Sequence, residues 1–251
     1  MIYITGDIHG NPTRFSVNKF SEQKELTRND FVIVLGDFGV IWSNSKEEKY
    51  WIKWLSNKPF TILFVDGNHE NYDLLYSYPV VNFLGGKAHK ISENIYHLMR
   101  GYVFNICDKK FFAFGGASSH DIEDGILDPN DFEDIIEFKR VYTNWRKYKK
   151  LFRVRGVSWW KEELPTEEEM NRGEKSLSDV NYEVDYIITH CLPQELASVL
   201  GFKNSDCLTR YFDNLLHNDL KFVKWYCGHY HCEKQIFGKF NILYEKIIRI
   251  L

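Results

Sequence analysis

Thr61-Ile62-Leu63-Phe64-Val65-Asp66-Gly67-Asn68-His69-Glu70 is an apolar run that stops at polar residues able to bind metal or move protons. The form recurs four times. Met1-Ile2-Tyr3-Ile4-Thr5 runs into Gly6-Asp7-Ile8-His9-Gly10, and Phe31-Val32-Ile33-Val34-Leu35 into Gly36-Asp37. Tyr186-Ile187-Ile188-Thr189 ends at His190, and Phe222-Val223-Lys224-Trp225-Tyr226-Cys227 runs into Gly228-His229-Tyr230-His231. Five such endings predict strands whose carboxyl ends meet at one sheet edge, where α/β folds place their sites. The converging side chains are two Asp, one Asn and several His. That set suits a pair of hard or borderline divalent cations.

The 251 residues are enough for one large domain or two small ones. Because the candidate residues run from Asp7 to His231, one domain over 1–251 with an inserted segment is expected. A net charge of −3 offers no global attraction to nucleic acid or to an anionic membrane. Five Cys, an odd number with no C-x-x-C pair, argue against a disulfide framework and a zinc finger. Cys191, Cys227 and Cys232, close in sequence to the candidate histidines, are expected to be small buried thiols, which suits a reducing compartment. No apolar run reaches 18 residues, and a first strand beginning at Met1 leaves no room for a signal peptide. A cytoplasmic protein without a membrane partner is the expectation.

Between the blocks the chain predicts further elements. Asn11-Pro12 can start a helix through Lys24. Residues 46–57 have helical spacing, and Asn71 to Tyr76 makes at best a short helix. Residues 95–98, 102–106 and 110–114 read as strands, and 234–250 as two more. The segment 117–165 stands apart. Asp121 to Glu137 holds eight acidic and no basic residues, whereas Phe138 to Arg155 holds eight basic and no acidic ones. A helix over about 130–152 would carry this charge in the sense that complements its macrodipole. It is expected either to pack on the domain or to act as a lid, with Arg153 and Arg155 reaching a phosphate.

Asp7 and His9, like His229 and His231, are two apart and can point to one side of an extended chain. Asp37 can bridge two cations, Asn68 offers an amide oxygen and His190 a ring nitrogen. Two cations about 3.5–4 Å apart clamp a phosphate and activate water, so no Ser or Cys nucleophile is required. His69 is placed to meet the substrate, where a protonated imidazole would protonate the leaving oxygen.

In this order the blocks D-x-H, G-D, G-N-H-[ED], a lone His and G-H-x-H resemble the calcineurin-like metallophosphoesterases. The resemblance implies an α/β fold, a four-layer α/β/β/α sandwich of two mixed sheets with a helical insertion at about 117–165. It implies one metal on Asp7, His9, Asp37 and His231 and a second on Asp37, Asn68, His190 and His229. His69 would be the acid or phosphate contact, with Glu70 orienting it. Phe114-Gly115-Gly116-Ala117 with Ser119 and Asp121, then Gly156, Ser158, Trp159, Trp160 and Trp225, is similar to a bacterial and phage subgroup. The implied activity is hydrolysis of a phosphomonoester or phosphodiester by metal-bound hydroxide, with catalysis centred on His69 and Asp37. Manganese or iron is favoured, with zinc and nickel as alternatives.

Protein phosphatases of this family carry G-D-x-x-D-R-G in the second block. Here Gly36-Asp37-Phe38-Gly39-Val40 lacks the second Asp and the Arg, which counts against that activity. Arg100 is the candidate replacement, and Asp121 a candidate at the pocket edge. Two rival functions remain: a catalytically silent binding module, and a nuclease using the basic half of 117–165. The acidic balance disfavours long-duplex nucleic acid.

Overall fold

The computed structural model describes residues 1–251. The first half contains β1 (Ile2–Thr5), β2 (Phe31–Leu35), α1 (Lys46–Ser56), β3 (Thr61–Val65), α2 (Tyr72–Leu75), β4 (Val80–Phe83), β5 (Gly86–Ser92), β6 (Ile95–Leu98), β7 (Tyr102–Ile106) and β8 (Lys109–Phe114). There follow β9 (Gly125–Leu127), α3 (Ile135–Lys147), β10 (Phe152–Val154), α4 (Glu167–Ser178), β11 (Tyr186–Thr189), α5 (Gln194–Val199) and α6 (Cys207–His217). The chain closes with β12 (Lys224–Cys227), β13 (Lys234–Ile236), β14 (Phe240–Ile242) and β15 (Ile248–Arg249).

Two mixed sheets result. One has the order β15-β1-β2-β3-β6-β5-β4 and the other β13-β14-β12-β11-β8-β7. The pairs among β1, β2, β3 and β6, and among β14, β12, β11 and β8, are parallel. Parallel strands here are covered on both faces, which is why they read as unbroken apolar runs. Alternation assigns the faces. Ile2, Ile4, Ile33, Leu35, Leu63 and Val65 pack with Phe111, Ala113, Ile188 and Tyr226 of the second sheet in a central core. Tyr3, Val32, Val34, Ile62 and Phe64 face outward onto Phe15, Phe20 and Leu55. Phe112, Phe114, Ile187 and Trp225 face outward onto Leu177 of α4 and onto Leu208, Phe212 and Leu215 of α6. This is the α/β/β/α layering, and it leaves the carboxyl ends of β1, β2, β3, β11 and β12 at a common edge. No helix is long and apolar enough to cross a membrane.

Three expectations need correction. Residues 11–24 do not form one helix but two 3-10 turns, Pro12–Phe15 and Ser21–Glu25. Phe15 and Phe20 both enter the core beneath β1, yet five residues apart on an α-helix they would point about 140° apart. Ser16 is therefore extended, and the helix breaks. The helix expected over 130–152 spans only Ile135–Lys147, capped by Asp134. Phe152–Val154 is drawn into a strand that pairs in parallel with Gly125–Leu127, burying Leu127 and Val154. No residue of α3 is fully buried; Phe138, Tyr142 and Trp145 pack instead around Phe132 and Phe152. Finally, the two strands expected over 234–250 are three.

Candidate metal centre

Asp7, His9, Asp37 and His231 offer ligand atoms all within 4.8 Å of one another. His231 Nε2 lies 3.2 Å from Asp7 Oδ2, His9 Nε2 lies 3.0 Å from His231 Nε2, and His9 Nδ1 lies 3.7 Å from Asp37 Oδ2. Asp37 also faces the second set: its Oδ1 lies 3.3 Å from His190 Nε2 and accepts from the His69 amide at 2.7 Å. The rings of His190 and His229 are 5.0 Å apart. Asn68 is buried and directly follows Gly67, whose backbone abuts Asp37 and His190. Asp7, His9, Asp37 and Asn68 come from the first sheet and His190, His229 and His231 from the second, so the set lies on the seam between sheets.

The backbone makes room for this crowding. A Cβ on Gly67 would stand 2.1 Å from Asp37 Oδ1, and one on Gly228 2.0 Å from Asp7 Oδ1, so no side chain fits at either position. His9, Asp37, His229 and His231 all adopt positive φ, between 44° and 67°. Four non-glycine residues in this sparsely populated region at one site mark a backbone held by its surroundings. Glu70 supplies part of that hold. Its carboxylate accepts from the Phe38 and Gly39 amides at 2.7 and 3.2 Å, bracing the turn after Asp37 rather than orienting His69. Arg14 grips the other turn, donating to Thr5 Oγ1 at 2.8 Å and to the Asp7 carbonyl at 2.5 Å.

The donor set fits divalent cations. Asn68 Oδ1 and His190 Nε2 are buried without a hydrogen-bond partner, although Asp37 stands beside the latter. A buried orphaned polar atom costs about 1–3 kcal/mol, and a cation on the lone pair removes that cost. His190 Nδ1 is 2.7 Å from the Leu35 carbonyl. That oxygen only accepts, so it keeps a proton on Nδ1. Burial works against a charged ring, but Asp37 and Asp7 raise the His190 pKa to about 10, so Nε2 would become the ligand atom as a cation displaces its proton. Burial lowers the pKa of His229 well below its ordinary value, with His190 adding to the effect. Burial likewise lowers that of His9 against the pull of Asp37 and Asp7. Both rings are neutral and free to donate lone pairs. Burial works against ionised Asp37, but His190, facing it at 3.3 Å, outweighs burial and depresses its pKa.

His69 sits at the rim, its ring 5.1 Å from that of His9. Arg153, carried on β10, reaches it: Nη2 lies 3.0 Å from His69 Nε2, and Nη1 donates to the Asn68 carbonyl at 3.2 Å. Burial lowers the pKa of His69 to about 4, and Arg153 lowers it further against Asp37. The protonated acid expected for His69 is therefore not the state its surroundings favour. A neutral ring that accepts from Arg153 at Nε2 keeps its proton on Nδ1.

The four candidate substrate contacts divide. Arg153 belongs to the site but is buried, paired with Asp121 at 2.7 Å and with Glu163 at 3.6 Å. Asp121 thus meets the site through Arg153. Arg155 is turned to Asp128 at 2.8 Å and packs over Trp159. Arg100 is corrected outright. Only 2% exposed, it is held by Asp66, donates to Tyr72 Oη at 2.9 Å and to the Glu162 carbonyl at 2.6 Å, and turns Nη1 to Glu169 at 3.5 Å, away from the cluster. Its partner Asp66 also faces His97 at 3.0 Å, and His97 stacks on His89. Both histidines are structural. His120 edges the site, its ring 5.9 Å from that of His229.

Glu163 carries no sequence signal. Buried at 2% exposure, it accepts from the Ser119 amide and hydroxyl at 3.1 and 2.6 Å. Burial raises its pKa from 4.5 to about 7, against Ser119 and Arg153. The folded value lies above the unfolded one, so this group's contribution to stability is fully present below pH 4.5 and is lost as pH rises through 7. Relative to the parent, Glu163→Gln is expected to gain stability between those pH values, by roughly 3 kcal/mol. Urea midpoints at pH 4.5, 6 and 8 check this; a constant offset between the two proteins would refute it.

A family model described as calcineurin-like phosphoesterase matches residues 1–233, which include all five blocks. None of the curated proteins matches the chain.

Proposed function

The chain belongs to the calcineurin-like phosphoesterase family, and from that premise we propose that it hydrolyses a phosphomonoester or phosphodiester at the Asp/His/Asn cluster. The observation that carries this is the convergence of Asp7, His9, Asp37 and His231, with ligand atoms all within 4.8 Å of one another, beside His190 and the buried, unpartnered Asn68 Oδ1. Asp7, His9, Asp37 and His231 would hold one divalent cation and Asp37, Asn68, His190 and His229 a second, with Asp37 shared. Two such ions supply charge to neutralise the phosphate and lower the pKa of water to about 7. Manganese or iron suits the mixed oxygen and imidazole set.

The protein's own groups do the rest. Asp37, held ionised by His190, and Asp7, buried beside it, form the floor. His69, neutral and held at Nε2 by Arg153, would keep Nδ1–H to donate to a phosphate oxygen. Arg153 and the Asp121 and Glu163 carboxylates fix that ring, so no rotation is needed when substrate arrives.

The test is metal analysis of the purified protein together with hydrolysis of p-nitrophenyl phosphate and bis-p-nitrophenyl phosphate in the presence of Mn²⁺ or Fe²⁺. Two equivalents of metal and chelator-sensitive turnover are expected. Metal without turnover of any ester would make the chain a silent binding module. Turnover indifferent to chelators would overturn the metal reading.

A further inference from the structure

A cavity of about 350 Å³ adjoins the metal centre and shares His229 with it. It lies between the loop after β8, which brings Ser118 and His120, and the segment joining α5 to α6. Its volume is in the range of small-molecule sites, about 300–1,000 Å³. A group esterified to a phosphate at the cluster extends into it past His229 and His120.

The lining specifies the group. Gln194 faces the cavity with its amide polarity set, because Nε2 is 3.1 Å from both Ser198 Oγ and the Phe202 carbonyl. That leaves Oε1, which is buried and has no hydrogen-bond partner. An orphaned acceptor asks for a ligand that donates. Phe202 and Tyr230 supply adjoining aromatic walls, their ring centroids 4.9 Å apart. Tyr230 Oη accepts from the Leu192 amide at 3.0 Å and keeps its own O–H to donate, while Asp206 Oδ1 caps α6 by accepting from the Thr209 amide at 2.8 Å and leaves its second oxygen as a further acceptor in the lining. Apart from Lys203, the remaining polar lining is uncharged or titratable imidazole.

We propose that this cavity is the leaving-group pocket and takes the nucleoside part of a nucleotide ester, its base against Phe202 and Tyr230 and a base N–H donating to Gln194 Oε1. The inference rests on the phosphoesterase reading for the ester but not for the pocket. Every nucleobase has a flat face and at least one N–H donor, while a sugar phosphate lacks the face and a simple alkyl ester lacks both.

Binding of adenosine, guanosine, cytidine and uridine to the full chain, followed by calorimetry, tests the pocket without turnover. At least one should bind, and Gln194→Leu should weaken it about tenfold, as loss of a buried hydrogen bond does. Phe202→Ala, at an exposed position with little risk to folding, should weaken it as well. Asp37→Asn should abolish hydrolysis yet keep nucleoside binding. If nucleosides bind in this pattern while no ester is hydrolysed, the pocket stands and the catalytic reading falls. If esters are hydrolysed but no nucleoside binds, or if Gln194→Leu and Phe202→Ala bind as the parent does, the pocket assignment is overturned. Tighter binding of ribose 5-phosphate than of any nucleoside overturns it too.

Discussion

Asp37→Asn is expected to lower kcat/KM for bis-p-nitrophenyl phosphate by at least about 10³-fold, roughly 4 kcal/mol, and to cut bound metal from two equivalents to one or fewer. The reason is position. Asp37 lies between the donor sets, 3.7 Å from His9 on one side and 3.3 Å from His190 Nε2 on the other, whereas Asp7 meets His190 only at Nδ1, 3.9 Å away. Losing a partner outside the ligand shell costs about 10–100-fold in such sites, so a shared ligand must cost more. The substitution keeps the shape and the acceptor for the His69 amide, which separates charge from scaffolding. His231→Ala, on the exposed side of the cluster, should empty only one site. Elemental analysis beside steady-state kinetics reads both, and full metal occupancy in Asp37→Asn would remove the shared-ligand role.

His69→Ala should reduce kcat by about 10²–10³-fold, the range for loss of one preorganised donor to transition-state charge, with both metals retained. The decisive feature is its dependence on the leaving group. A proton donor matters most for poor alkoxide leaving groups and little for nitrophenolate. A neutral ring positioned by Arg153 matters equally for both. Equal losses are therefore expected. Arg153→Met should reproduce part of the loss in kcat with little change in KM, because Arg153 acts through His69 and meets no substrate. A loss that grows steeply with leaving-group pKa would restore His69 as an acid and require Arg153 to move in the substrate complex.

Much of the architecture was legible because buried parallel strands have no polar face to hide. The runs at Ile2–Thr5, Phe31–Leu35 and Thr61–Val65 declare themselves, and so do the polar residues that follow them. Residues 11–24 misled because Asn11-Pro12 is a sound helix start, and local signals do not reveal that Phe15 and Phe20 must enter one core. Arg100 misled for a related reason. A guanidinium looks the same in sequence whether it faces a phosphate or a buried Asp66, and only the packing of two sheets decides. The hold of Arg153 on His69 was invisible in detail, since 84 residues separate them and the short β9–β10 pairing that delivers Arg153 has no distinctive pattern. The left-handed turns at His9, Asp37, His229 and His231 also lay beyond local pattern: Asp and His tolerate that region better than most residues, but nothing in their neighbours in sequence dictates it.

The pairing of β15 with β1, Tyr3 with Arg249 and Ile4 with Ile248, has a consequence for biosynthesis. Residues 2–98 supply every other strand of the first sheet, so that sheet can assemble while the ribosome is still making the second. Throughout that interval β1 presents an apolar strand with a free row of amides and carbonyls, open to a neighbouring nascent chain. Only when residues 248–249 emerge is the edge closed, and the two-residue strand that closes it ends in Arg249, a charge facing further growth. From the completion of β6 at Leu98 until Ile248 emerges the protein thus carries this edge unguarded, and a chaperone working on it would find a target there.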